Sequence, residues 1–390
     1  MVNTQLLRAT VFGQSKPAES TLLRQLLAAE ADEPSPSNSQ KTAQEGILWS
    51  PASLQTGQGH RGTAMGSQTT GLAATTRLRM AFVPTSIVHL LDASKHPLIS
   101  LQIRNGRHSI ARVRLSAFVE DYSARSIQTV EVPAGEAADV PFLPTFFPER
   151  LRGITEVSRA TLRLHIDDLD GRVEQERTFP IWLLARSSAL LHVQDPSTGF
   201  PQDLTPYLAA WVTPGIPAVF ELLRKAADAL PSSTIASYQV DADGVAAQVK
   251  AIYAALQSTG IAYINSHIFF GAMPGVLGQR IRLPRESLLQ RSANCIDGTV
   301  LFASVLEAAS LHPAIVLVPG HAFLAWETAE GSAQWEYLET TLVGSHDFET
   351  AVDQGRKLAK AYETLAQARP SAFCRLPLRI LRDQGIWPME

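Results

Sequence analysis

The feature that most constrains this chain is a change of hydropathy period part-way along it. From about 77 to 187, apolar and polar residues alternate in short runs. Val113, Leu115, Ala117 and Val119 point one way, Arg112, Arg114 and Ser116 the other. Leu162, Leu164 and Ile166 repeat the pattern against Arg163 and His165. Period two over such lengths predicts half-buried strands. After a connector near 193–206 the period lengthens. Val245, Val249, Ile252 and Leu256 recur at helical spacing, and Pro217 stands where a first helical turn tolerates proline. Val300, Leu301, Val305 and Leu306 predict a helix over 295–309. "AIVLVPG", "HAFLAWE" and "QWEYLETT" then read as three strands, and "FETAVDQGRKLAKAYETLAQA" as a closing amphipathic helix. Strands first, then helices, then antiparallel strands around one central helix is an α+β order.

Three segments follow from these textures. Residues 1–76 are expected to be a flexible N-terminal arm with a short helix at 20–31, because Ser, Thr, Gly and Gln dominate and little apolar surface is available to offset ordering entropy. Residues 77–192 are expected to form an all-β sandwich of immunoglobulin-like type. Asn105-Gly106 and Asp170-Gly171 lie between strand-like runs and predict tight hairpins. Residues 193–390 would form the α+β domain.

Bulk properties exclude several classes. A net charge of −3 over 390 residues supplies no basic field, so no nucleic-acid partner is expected. No apolar run is long enough to cross a bilayer, and the N-terminus lacks the apolar core of a secretory signal, so no membrane partner is expected. Two cysteines, Cys295 and Cys374, make no disulfide framework and suit a reducing, cytoplasmic compartment. There is no GxxxxGK loop or calcium loop, and His321, His346 and Asp347 lack metal-ligand spacing. No cofactor is expected.

The chemistry gathers around Cys295. Ser292 and Asn294 are both capping residues ahead of the 295–309 helix, which would place the thiol in its first turn. A helix N-terminus favours the thiolate, while Asp297 in the same turn opposes it. His321 starts a strand after Pro319-Gly320. Glu339 ends the next strand, and antiparallel neighbours bring such residues side by side. A thiol, a ring to move its proton and a carboxylate to hold that ring form a nucleophile, base and orienter set.

The ordered segment "NCIDGTVLFASVLEAASLHPAIVLVPGHAFLAW…WEYLETT", with "QRIRLPRESLLQRSANC" ahead of it, resembles the bacterial-type domains of the transglutaminase-like superfamily, a papain-like Cys-His-acid fold. The likeness spans roughly 240–345. It implies Cys295 as nucleophile, His321 as general base or imidazolium partner, and Glu339 where the family usually holds Asp. An oxyanion hole would use the Cys295 N–H and a side-chain donor, for which Gln279, Gln290 and Asn294 are candidates. The resemblance implies a thiol-dependent hydrolase, a cysteine peptidase or amidase, that opens protein or peptide amide bonds through a thioester. Transglutaminase-type acyl transfer is one alternative. The other is a non-catalytic binding or scaffold module that keeps the fold, with the arm or the sandwich recruiting a protein partner. Blander readings cover the rest: Cys374 as structural, His312 as a solvated loop residue, His346 as part of a helix-capping turn, His267 as structural, and 269–280 as either a loop over the cleft or a connector.

Overall fold

The computed structural model describes residues 71–171, 173–194, 201–264 and 276–389. The arm with its 20–31 helix, His267 and most of the 269–280 stretch lie outside them. Gly71–Glu390 forms one compact unit, of mixed α+β composition.

Its first part is built of strands β1 (Leu72–Leu78), β2 (Phe82–Val83), β3 (Ile99–Asn105), β4 (Ala111–Val119), β5 (Ser126–Val132), β6 (Ala137–Phe142), β7 (Ser158–Asp168) and β8 (Val173–Leu183), with a single helical turn α1 (Pro148–Leu151). They form a three-stranded sheet β1-β3-β6 and a five-stranded sheet β2-β8-β7-β4-β5. Pairing is antiparallel except between β2 and β8. The alternation has the cause read from sequence. Val113, Leu115, Ala117 and Val119 are sealed from solvent, as are Leu162 and Leu164, and they share one core with Leu101 and Ile103 of the other sheet. β1 starts at Leu72, ahead of the expected boundary at 77.

One of the two expected hairpins is present. Asp170-Gly171 joins β7 to β8, which pair from Asp168 opposite Val173 onward. A Cβ at Gly171 would collide with the Asp168 carboxylate, which accepts the Gly171 N–H at 2.9 Å. Asn105-Gly106 is not a hairpin, because β3 and β4 belong to different sheets. Asn105 is fully buried, and its Nδ2 donates to the carbonyls of Ser109 and Val132, both at 2.8 Å. That knot carries the chain from one sheet to the other.

The second part begins with strand β9 (Ser188–Gln194), which crosses the expected boundary at 192/193. Its partners are β10 (Pro201–Asp203) and β12 (Val276–Arg280), both on the C-terminal side. Helix α2 (Pro217–Asp228) starts on its proline. Helix α3 (Ala242–Gln257) is capped by Asp241, which accepts the Gly244 N–H at 2.9 Å. β11 (Ala262–Tyr263) runs parallel to β13 (Ser292–Ala293), and α4 (Pro284–Gln290) lies between them in sequence. Then come α5 (Cys295–Ala308), β14 (Pro313–Val318), β15 (His321–Glu327), β16 (Trp335–Leu338), α6 (Phe348–Ala368), β17 (Cys374–Pro377) and α7 (Leu378–Asp383). The sheet order is β16-β15-β14-β17.

This four-stranded sheet is covered on both faces. Ile315, Ala322, Leu324, Trp326 and Leu338 pack with Val300 and Leu301 of α5. Val316, Phe323, Ala325 and Tyr337 pack with Ala359 and Tyr362 of α6. Period two thus sends alternate residues to two different helices. α5 is buried from Cys295 to Leu306 and mostly apolar, with Asp297, Thr299 and Ser304 enclosed among its apolar side chains. Among the described residues no helix is long and apolar enough to cross a membrane.

Candidate active site

Asn294 starts the site. Its side-chain oxygen accepts the Asp297 N–H at 2.9 Å, and Asp297 Oδ2 accepts the Asn294 N–H at 3.2 Å. This reciprocal cap contributes about 1 kcal/mol to the helix end, and it decides between the two capping candidates in favour of Asn294. Ser292 lies two residues earlier, in β13. The cap fixes Cys295 as the first residue of α5, only 4 % exposed. The Cys295 carbonyl is held too, accepting from Thr299 Oγ1 at 2.7 Å and Thr340 Oγ1 at 3.4 Å.

His321 opens β15 directly after Gly320, whose φ of 73° is easily reached only by glycine. Register sets Val318 opposite His321, so the two-residue turn Pro319-Gly320 delivers the ring to the sheet end. The His321 Nε2–H donates to Glu339 Oε2 at 2.6 Å. The Cys295 side chain lies close enough to the same ring to favour its charged form. With Nε2 committed to the carboxylate, Nδ1 is the nitrogen that remains for sulfur. Burial works against the imidazolium, but the Glu339 charge, the hydrogen bond to Glu339 and the neighbouring Cys295 outweigh it, pushing the His321 pKa up to about 10.

Glu339 is 4 % exposed. Burial alone would raise its pKa, but His321 and the Thr341 donors hold it below the usual carboxylate range. Oε1 accepts the Thr341 N–H at 3.0 Å and the Thr341 hydroxyl at 2.7 Å, so one oxygen faces Thr341 while the other faces the ring. The position differs in detail from the expected side-by-side pair. Leu324 stands opposite Leu338, a register that continues to Phe323 opposite Glu339 and leaves His321 two residues along the strand. Glu339 lies just past β16, at the start of the 3-10 turn Thr340–Leu342. The extra methylene of Glu over Asp suits that diagonal.

Cys295, His321 and Glu339, separated in sequence, are therefore brought together. The three oxyanion candidates are placed differently. Asn294 adjoins the nucleophile, but its side-chain oxygen is committed to the cap. Gln290 is exposed on α4, and its Oε1 accepts from Arg282 Nε at 3.0 Å. Gln279 is half-buried on β12, opposite Ala189 of β9.

Sequence reasoning missed four supporting residues. Thr341 orients Glu339, and Thr340 holds the Cys295 carbonyl; both stand in the quoted "LETT" but read there only as strand residues. Arg282 donates to Asp297 through its backbone N–H at 2.8 Å and its guanidinium at 2.7 Å. Tyr263 is 40 % exposed on β11 beside Ala293. Burial first, then the charges of Cys295 and Glu339, push its phenol up to about 12. No local signal marks Arg282 or Tyr263, because both arrive through strand pairing and chain return.

The blander readings fare variously. Asp347 caps α6 by accepting the Thr350 N–H at 2.8 Å, and exposed His346 sits in that capping turn. Cys374 is half-buried on β17, and burial raises its thiol. His312 is not a solvated loop residue. Its Nδ1 is 2.8 Å from Glu327 Oε2, and its backbone N–H donates to Tyr238 Oη at 2.9 Å. The apolar surroundings of the β14–β15 hairpin end draw it inward. Among the described residues no group of three or more His, Cys, Asp or Glu is placed to hold a metal ion.

No family model matches the chain, and no curated protein matches it. Among solved structures it is similar to the crystal structure of a FixG-related protein from Vibrio parahaemolyticus, at 14 % identity over 28 % of this chain and 94 % of that one, with a TM-score of 0.21. A likeness that slight carries no argument about fold or function.

Proposed function

We propose that this chain is a thiol hydrolase acting on protein or peptide amide bonds, with a transglutaminase-like core preceded by an immunoglobulin-like β-sandwich. The observation that carries the reading is the linked set in which Cys295 meets a ring whose other nitrogen is held 2.6 Å from a buried carboxylate. The raised His321 pKa supports a charged ring beside the sulfur, and the attacking form is the thiolate paired with that imidazolium. The thiolate attacks the amide carbon, and the tetrahedral oxyanion is received by the Cys295 N–H at the helix start. His321 then gives its proton to the leaving amine, and a thioester remains. Water, deprotonated by His321, attacks the thioester, and the acid departs with the thiol restored. Glu339 keeps the ring oriented throughout and stabilises its charged form whenever it holds the proton. An amine in place of water would give acyl transfer. The two sheets sharing one core support the sandwich, and the capped helix against an antiparallel sheet supports the core assignment.

The non-catalytic alternative is favoured by one observation, the 4 % exposure of Cys295. Iodoacetamide labelling with peptide mapping separates the two. An enzyme shows pH-dependent alkylation of Cys295 well ahead of Cys374, and Cys295→Ala abolishes release of amine from a mixed peptide-amide library. Equal, slow labelling of both thiols with no amine release supports the binding module instead.

A further inference from the structure

The site holds a buried charge pair that the proposed chemistry does not use. Asp297 lies in the first turn of α5, two residues past the nucleophile, and its side chain is 1 % exposed. A lone carboxylate there would oppose the thiolate through the low-dielectric interior. It is not alone. Oδ1 accepts the Arg282 N–H at 2.8 Å, and Oδ2 accepts the guanidinium at 2.7 Å and the Asn294 N–H at 3.2 Å. Each partner is a donor, which is the set an ionised carboxylate requires. Burial raises the Asp297 pKa, and the Arg282 and Asn294 contacts act against that rise.

We infer that the Arg282–Asp297 ion pair sets the charge at the start of α5, with Arg282 the positioning residue that cancels Asp297 beside Cys295. A buried acid is a useful anchor for the cap but a poor neighbour for a thiolate. Arg282, arriving from the chain between β12 and α4, lets Asp297 keep the first role without the second. Its guanidinium Nε also donates to Gln290 Oε1 at 3.0 Å, which fixes the fork from the α4 side. The other titratable groups near Cys295 are His321 from β15 and Tyr263 from β11, with Glu339 from the end of β16 behind the His321 ring. None of them is bonded to Asp297 by the contacts above. Arg282 and Asp297 therefore form a charge-balanced unit beside the triad rather than part of it.

The inference rests on the thiol–imidazole reading and is tested with the full chain. The readout is the pH profile of Cys295 alkylation by iodoacetamide, with circular dichroism confirming the fold of each variant. Arg282→Gln leaves Asp297 uncompensated, so the profile moves to higher pH and the rate at pH 7 falls about tenfold, the effect of one unit. Asp297→Asn leaves the arginine uncompensated and moves the profile to lower pH. The double variant returns close to wild type, and Arg282→Lys, which keeps the charge, retains the wild-type profile. A merely structural role predicts lower melting temperatures with unmoved profiles, or shifts of one sign in both single variants; either result overturns the inference. If Arg282→Gln does not fold, the shift of Asp297→Asn to lower pH against the unmoved profile of Arg282→Lys still decides, and an unmoved Asp297→Asn profile overturns the inference. His321→Ala is the control. Should it leave alkylation unchanged, the thiol–imidazole reading itself fails; should it slow alkylation while the Arg282 and Asp297 variants leave the profile in place, only the present inference is lost.

Discussion

The same hairpin carries two histidine–glutamate pairs, one at each end. His321 and Glu339 meet at 2.6 Å, and His312 and Glu327 at 2.8 Å. Both acids are buried and both rings are partly covered. What separates the pairs is the third member. At His321 it is a thiol on a capped helix. At His312 it is Tyr238, whose ring lies 4.9 Å from the imidazole and whose hydroxyl donates to the Glu327 carbonyl at 3.1 Å. Glu327 spends its second oxygen on the Ala333 N–H at 2.8 Å, tying down the turn that follows β15. One pair faces a thiol and the other fastens a loop, so a histidine–carboxylate contact is not a candidate site until something reactive stands beside it.

The largest expected effect breaks the first pair. His321→Ala should lower amide hydrolysis by about a hundredfold to ten-thousandfold, the usual worth of a general acid–base group. His312→Ala should leave turnover within about twofold while lowering the melting temperature. Equal losses of turnover in both would erase the distinction. Next, Glu339→Gln removes the charge that keeps His321 protonated, so alkylation of Cys295 at pH 7 should fall more than about tenfold. Glu327→Gln should instead cost about 1–3 kcal/mol of stability by weakening the Ala333 and His312 bonds, measurable by urea denaturation.

A pH series sharpens the contrast without mutation. The His321 pKa is raised in the folded protein to about 10 from an ordinary value near 6.5. Its contribution to stability is therefore complete below that ordinary value and is lost as pH rises through about 10. Glu339, held below its usual range, contributes above its unfolded pKa and loses that contribution as pH falls through its folded one. The denaturation midpoint should decline on the alkaline side in the wild type, and His321→Gln should flatten that limb. The smallest expected effect acts at a distance. A Cβ at Gly355 of α6 would lie 2.6 Å from the Tyr337 carbonyl carbon, and the Glu339 N–H donates to Ala351 of the same helix at 3.0 Å. Gly355→Ala should cost about 1–3 kcal/mol and slow Cys295 alkylation a few-fold by displacing Glu339. A loss of stability with an unaltered rate would show that β16 yields without moving the acid.

Local pattern carried much of this. Alternation from Val113 to Val119 was enough to assign a buried and an exposed face, because strand side chains have a period of two whatever the sheet does next. The capped start of α5 and the order Cys295, His321, Glu339 could be read for the same reason: caps and strand ends are written within a few residues. Asn105-Gly106 shows where that stops. Its composition suits a hairpin as well as Asp170-Gly171 does, but only the packing of two sheets decides that β3 and β4 part company there. The site divides along the same line. The sequence by itself determined which residues carry reactive groups and which elements hold them. Only the tertiary structure decided that Glu339 reaches His321 on the diagonal, that Thr341 steadies it, and that Arg282 returns to Asp297. Those contacts depend on strand register and chain return, which are set by the burial of whole faces against α5 and α6 rather than by any neighbour in sequence.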